Sequence, residues 1–194
     1  MLRMIEVFGI LAFTLSGVIE ARRKKMDFVG TYAIAFLTSL GGGTLRDLLL
    51  NRLPFWVNNQ KYPLMVMAVV IVTLVVLRFK KVNITEQTIV IPDGLGLGLF
   101  SAYAMEMGLP AFICVLMGVI TATFGGVLRD IACNEIPVLF RRTELYATCA
   151  FFAAGAYWVE RFLGLTTHVS VVTSIVIAFV LRMAAVRFNL KLPL

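Results

Sequence analysis

Two Arg-Asp pairs carry the potential chemistry of this sequence: Arg46-Asp47 and Arg129-Asp130, each set closely behind a run of glycines. Gly41, Gly42 and Gly43 precede the first pair, and Gly125 and Gly126 precede the second. All four charges fall inside long apolar stretches. An ionisable group in hydrocarbon costs about 2.5–3.5 kcal/mol on insertion scales, so each needs a partner or water. Such groups can accompany a passing ion, or they can clamp helices together. Neighbours on a helix point about 100° apart, so crosswise partners are expected: Arg46 with Asp130, and Arg129 with Asp47.

The glycines suggest the second half of the chemistry. A glycine costs about 1 kcal/mol against alanine in a helix interior, so consecutive glycines predict a bend or break. A break in lipid frees carbonyls that must be buried in protein or line a watery cavity. The oxygens so freed would belong to residues such as Leu37, Thr38, Ser39 and Leu40, and Ile120, Thr121, Ala122 and Thr123. Carbonyl and hydroxyl oxygens suit a weakly held monovalent cation. The plainer alternative is that small residues let two helices cross closely, as they often do in membranes.

The elements that hold these residues are membrane spans. The 194 residues are 60% hydrophobic and 15% charged, against nearer half and a quarter in soluble domains. That much apolar surface needs lipid as its solvent. With about 20 apolar residues needed per crossing, seven spans are expected, near 4–21, 28–50, 62–79, 88–106, 110–133, 145–162 and 168–187. Pro54, Pro63, Pro92, Pro110 and Pro137 are expected near helix boundaries, where a missing donor is tolerated. The first stretch reads as a retained helix and not a cleaved signal.

A net charge of +7 raises nucleic acid as a partner, but the basic residues form short clusters between spans, which points to topology and anionic lipid head groups. Residues 22–25, Arg78, Lys80, Lys81, Arg141, Arg142, Arg182, Arg187 and Lys191 put twelve basic residues on one side. Arg3, Arg52, Lys61 and Arg161 put four on the other. The excess predicts the N-terminus outside and the C-terminus in the cytoplasm.

Cys114, Cys133 and Cys149 lack metal-ligand spacing and read as buried thiols. Glu6, Glu20, Asp93, Glu106 and Glu160 fall near expected helix ends, where caps or snorkelling account for them, and His168 reads as a boundary residue. Trp56, Tyr62, Tyr157 and Trp158 fit interfacial belts. No catalytic triad, phosphate loop or metal cluster emerges, so no enzyme and no cofactor is expected beyond a permeant K⁺ or Na⁺.

The chain repeats itself. GGTLRDLLLNRLPF (42–55) and GGVLRDIACNEIPV (125–138) share seven of fourteen residues at a constant offset of 83. Three spans per unit is an odd number, so the second unit enters the membrane from the opposite side, an inverted repeat typical of transporters and some channels. The expected architecture is all-α and polytopic: a three-helix unit at 1–82, an inverted unit at 83–165, and a seventh helix with a cytoplasmic tail at 166–194.

SGVIEARRKKMDFVG (16–30), LGGGTLRDLLL (40–50), DGLGLGLFSA (93–102), FGGVLRDIACNEIP (124–137) and RRTELYATCA (141–150) resemble the bacterial branch of the trimeric intracellular cation (TRIC) channel family, sequences also grouped under a glycine-transporter label. The resemblance implies a homotrimer in the bacterial inner membrane, with a pore in each subunit conducting potassium and other monovalent cations. It places that pore along kinked second and fifth helices, here bearing Thr38, Ser39, Gly41 to Gly43, Thr121, Thr123, Phe124, Gly125 and Gly126. Phe124 departs from the three glycines of many relatives. A carrier for a small amino acid such as glycine is the competing function, because an Arg and an Asp could hold a zwitterion.

Overall fold

The computed structural model describes residues 2–79, 86–103, 109–141, 145–188 and 190. Lys80, Lys81, Glu106, Arg142 and Lys191 lie outside them, as does part of the C-terminal tail. Seven helices occupy nearly all of the described chain: α1 Leu2–Arg23, α2 Phe28–Leu49, α3 Lys61–Phe79, α4 Glu86–Tyr103, α5 Ala111–Ala132, α6 Tyr146–Phe162 and α7 Thr167–Arg187. A 3-10 turn, Val138–Phe140, sits between α5 and α6.

Polar and apolar residues are distributed the reverse of a water-soluble bundle. Large apolar side chains stand exposed along the outer helices: Ile71, Val72, Val75 and Val76 on α3, Phe151 and Phe152 on α6, and Val172, Val176 and Val180 on α7. The interior instead buries Glu6, Glu20, Arg46, Asp47, Asp93, Arg129, Asp130 and Arg182 with a set of Ser and Thr. An apolar exterior is neutral in lipid, whereas buried charge is tolerated only in paired clusters. α2, α3, α5 and α7 are each long and apolar enough to cross a membrane. This is an all-helical membrane protein.

The helices that hold most of the buried charge are central. α2 packs extensively on α5, α1 on both α2 and α4, and α4 and α6 on α7. The described core gathers Ile10, Phe13, Val18, Leu40, Val66, Leu97 and Phe100 from α1 to α4, with Phe13 and Phe100 stacked at 5.5 Å.

Three sequence expectations change. Pro92 lies within α4 and not at a boundary; its ring removes one helix donor there. Tyr157 is buried against Val171 of α7 instead of sitting in an interfacial belt. The glycine runs break nothing. α2 and α5 are continuous α-helices through Gly41–Gly43 and Gly125–Gly126. Tertiary packing overrides the propensity penalty, since both runs lie where another element comes into contact.

Candidate functional site: a glycine crossing flanked by two buried Arg-Asp clusters

α2 and α5 meet backbone to backbone. A Cβ added at Gly42 would stand 2.2 Å from the Thr121 carbonyl oxygen, and one at Gly125 would stand 2.1 Å from that of Thr38. These two contacts correspond to one another, because 42 and 125 are equivalent positions of the sequence repeat, as are 38 and 121. Only glycine permits this approach. The other glycines face side chains: Gly41 faces Leu128, Gly43 the Phe55 ring, and Gly126 the Tyr146 hydroxyl. Phe124 is half-buried beside the crossing.

Hydroxyls line both helices around this point. Thr38, Ser39, Thr121 and Thr123 are buried, and each donates to the carbonyl one turn earlier: Thr38 to Ile34 at 2.6 Å, Ser39 to Ala35 at 2.7 Å, Thr121 to Met117 and Thr123 to Val119, both at 2.7 Å. A hydroxyl whose hydrogen is so committed offers only its lone pairs to a third group. The carbonyls expected to be freed by a break are instead held in helix, and the oxygens left over are these hydroxyls.

About two turns beyond, each helix ends in the same device. Asn51 and Asn134 take positive φ, 54° and 55°, the left-handed position that closes a helix. The amides of Arg52 and Glu135 return to the carbonyls of Asp47 and Asp130, both at 2.8 Å. The carboxylates then tie down the following loop: Asp47 Oδ2 accepts from the Phe55 amide and Asp130 Oδ2 from the Val138 amide, both at 2.9 Å. The repeated Asn and Asp are explained by this cap, and the repeated proline follows it.

The arginines correct the expected crosswise pairing. Arg46 Nε and Nη2 lie 2.8 and 2.7 Å from Asp47 Oδ1, and Arg129 Nε and Nη2 both lie 2.9 Å from Asp130 Oδ1. Neighbours pair because the loop amide fixes each carboxylate, turning its second oxygen along the helix where a long guanidinium can reach it. Neither pair crosses between the repeats.

The two ends differ beyond this shared plan. Arg46 lies over the Phe55 ring, 5.8 Å from its centre. Arg129 joins α1, α4 and α5: its Nη1 donates to Ser16 Oγ at 2.6 Å and Asp93 Oδ1 at 2.8 Å. Arg182 of α7 lies over the Tyr146 ring at 4.9 Å. Arg129, Asp93, Asp130 and Arg182 line a cavity of ≈ 60 Å³, whose rim includes Glu20, Arg23, Glu135 and Arg141. At that rim Arg23, the last residue of α1, Lys24 just after it, and Arg141 from beyond α5 converge on Glu135. The Lys24 ammonium beside it holds the Glu135 carboxyl below the usual carboxylate range.

Sequence reasoning passed over Asp93, Ser16, Tyr146 and Arg182. Asp93 was expected to be a helix-end acid, yet it is buried inside α4 against Arg129. The place of Arg182 inside the last span, where sequence reads it as a topology charge, is the available signal. Glu6 and Glu160 are likewise not snorkelling: Glu6 accepts from the Tyr62 hydroxyl and Glu160 from Thr173 at 2.6 Å.

Comparison with known proteins places this geometry in context. A family described as "Glycine transporter" matches residues 3–79 and 90–161. A UPF0126 membrane protein of Vibrio cholerae is 32% identical over 100% of this chain and 82% of its own length. The UPF0126 inner membrane protein YadS of Escherichia coli K12 is 31% identical over 97% of this chain and 93% of its own. Among solved structures, a TRIC trimeric intracellular cation channel orthologue from Rhodobacter sphaeroides superposes with a TM-score of 0.88 at 34% identity, covering 97% of this chain and 98% of that one. A prokaryotic TRIC channel crystallised in 0.5 M KCl gives 0.86 at 29% identity, covering 98% of both chains.

Proposed function

We propose that this chain, which belongs to the glycine-transporter family of membrane proteins, is a monovalent cation channel that conducts potassium. The observation that carries the reading is the near-complete superposition on the Rhodobacter sphaeroides TRIC cation channel orthologue. Local chemistry supports it: buried hydroxyl oxygens with only lone pairs to offer, and a buried carboxylate near the C-terminal end of each of the same two helices.

In this reading the chain is two inverted three-helix repeats, 1–82 and 83–165, with α7 added. The pathway of each subunit of a homotrimer runs along α2 and α5. It passes Thr38, Ser39, Thr121 and Thr123 beside the glycine crossing, with the two Arg-Asp pairs at its ends. The residues at the crossing are buried, so this conformation is a closed one and conduction requires a passage to open beside the crossing. Phe124 stands at the narrowing. The N-terminus faces outward and the C-terminus faces the cytoplasm of a bacterial inner membrane, which puts Lys24, Arg23 and Arg141 on the cytoplasmic side in accord with the basic excess there.

Recording from the purified protein in planar bilayers tests this. Unitary potassium currents are expected, with lower conductance in Thr38→Val and Thr121→Val, which keep shape and remove an oxygen. Silence in bilayers together with saturable glycine uptake into vesicles would replace the channel by the carrier that the family's description names.

A further inference from the structure

At the end of the molecule bearing the α1 N-terminus, a second cavity of ≈ 480 Å³ opens between α1, the loop after α2 and the start of α3. Its chemistry differs from the cluster around Arg129. One carboxylate, Glu6, is 4% exposed and lines the cavity together with Val7, Phe55, Tyr62 and Met65. Its Oε2 accepts a hydrogen bond from Tyr62. A carboxylate has about four lone-pair positions, so one phenol leaves acceptor capacity. Phe55 and Tyr62 meet edge to face with ring centres 4.9 Å apart.

From this arrangement we infer a binding site for a small organic ammonium ion, with the charged nitrogen against Glu6 and the alkyl body against Phe55, Met65 and Val7. The charge of Glu6 excludes anions. A divalent metal would want six or more oxygens, and the other side-chain oxygens of the described lining are two: the Tyr62 hydroxyl, which donates to Glu6, and Asn59 Oδ1, which accepts from the Lys61 amide at 3.2 Å. A bare alkali ion would leave the apolar wall uncovered, whereas the volume falls within the range of about 300–1,000 Å³ usual for small-molecule pockets. Aromatic walls and a buried acid are the recurring way to hold alkylammonium groups. Lys61, exposed at the mouth, adds a positive charge that disfavours polycations and favours a single charge carried at one end of the ligand.

Phe55 brings the repeat motif into this wall. The Phe55 amide is held by Asp47, its ring lies against Gly43, and the Arg46 guanidinium lies 5.8 Å from that ring's centre. An occupant would therefore touch the ring on which the end of α2 rests.

The test uses full-length protein in detergent and n-butylammonium chloride at constant ionic strength, read by saturation-transfer NMR, with n-butanol as the uncharged control. Saturable binding of the amine and none of the alcohol is expected. Glu6→Gln is expected to weaken it by about tenfold or more, and Lys61→Gln to strengthen it several-fold by removing the repulsive charge. No saturable amine binding, equal binding of the alcohol, or unchanged affinity in Lys61→Gln overturns the site. Lys61 is exposed, so that variant reads out even if Glu6→Gln fails to fold. The measurement involves no conductance, so its outcome is independent of whether the protein passes potassium.

Discussion

The buried arginines show how a charge is housed in an apolar span. Each guanidinium is held by the carboxylate next to it in sequence, and that carboxylate is held by a loop amide eight residues on. Removing one partner of such a pair costs about 3–5 kcal/mol, because the other charge is left buried. Asp130→Ala is therefore expected to lower the thermal unfolding temperature strongly in detergent. Asp130→Asn, which keeps an acceptor for the Val138 amide, should lose less. Equal losses would mean that the loop contact is immaterial. The pairing direction was not legible in the sequence: the 100° rule for helix neighbours is correct for free side chains, but it omits what a fixed carboxylate allows. The Asn and Asp of the motif were legible as repeated and not as a cap, since a left-handed residue is not announced by Asn alone.

At the scale of the helix, the glycine runs are contact points. Gly42→Ala and Gly125→Ala each push a methyl group to within 2.2 Å or less of a backbone oxygen, which cannot rotate away as a side chain would. Each is expected to destabilise by about 1–3 kcal/mol or more, and the double variant by less than the sum, since parting the helices once relieves both. Gly155 on α6 is the control. Nothing lies within 4 Å of its added Cβ, so Gly155→Ala should be neutral or gain up to about 1 kcal/mol from helix propensity. Calorimetry or denaturant titration separates these outcomes. Spacing predicted the spans well: α2 and α5 fall within two residues of the boundaries expected for the second and fifth spans. Propensity alone predicted a break because it knows nothing of the partner helix, and a glycine that bends a helix looks the same in sequence as one that admits a neighbour.

Across the whole molecule, the two halves are fastened where Lys24, Arg23 and Arg141 meet Glu135. With its carboxyl held below the ordinary value, Glu135 contributes stability that is full above the usual carboxylate range and is lost as pH falls through the depressed value. Wild type should exceed Glu135→Gln in unfolding temperature at neutral pH, and the two should converge in acid. A constant gap across that range would remove Glu135 from the account. The polytopic, all-helical architecture could be read from hydropathy, and the likeness of the halves from one fourteen-residue motif. The wider reach of Arg129 could not: its partners Asp93 and Ser16 lie on α4 and α1, outside that motif.

The meeting of Gly42 with Gly125 has a geometric corollary. Where two main chains touch there is no bore between them at that point. Any route for a solute must skirt that knot on one flank, and its two mouths then need not lie opposite each other. A blocker lodged in one mouth would leave the other open, and drugs applied from the two sides should fail to compete.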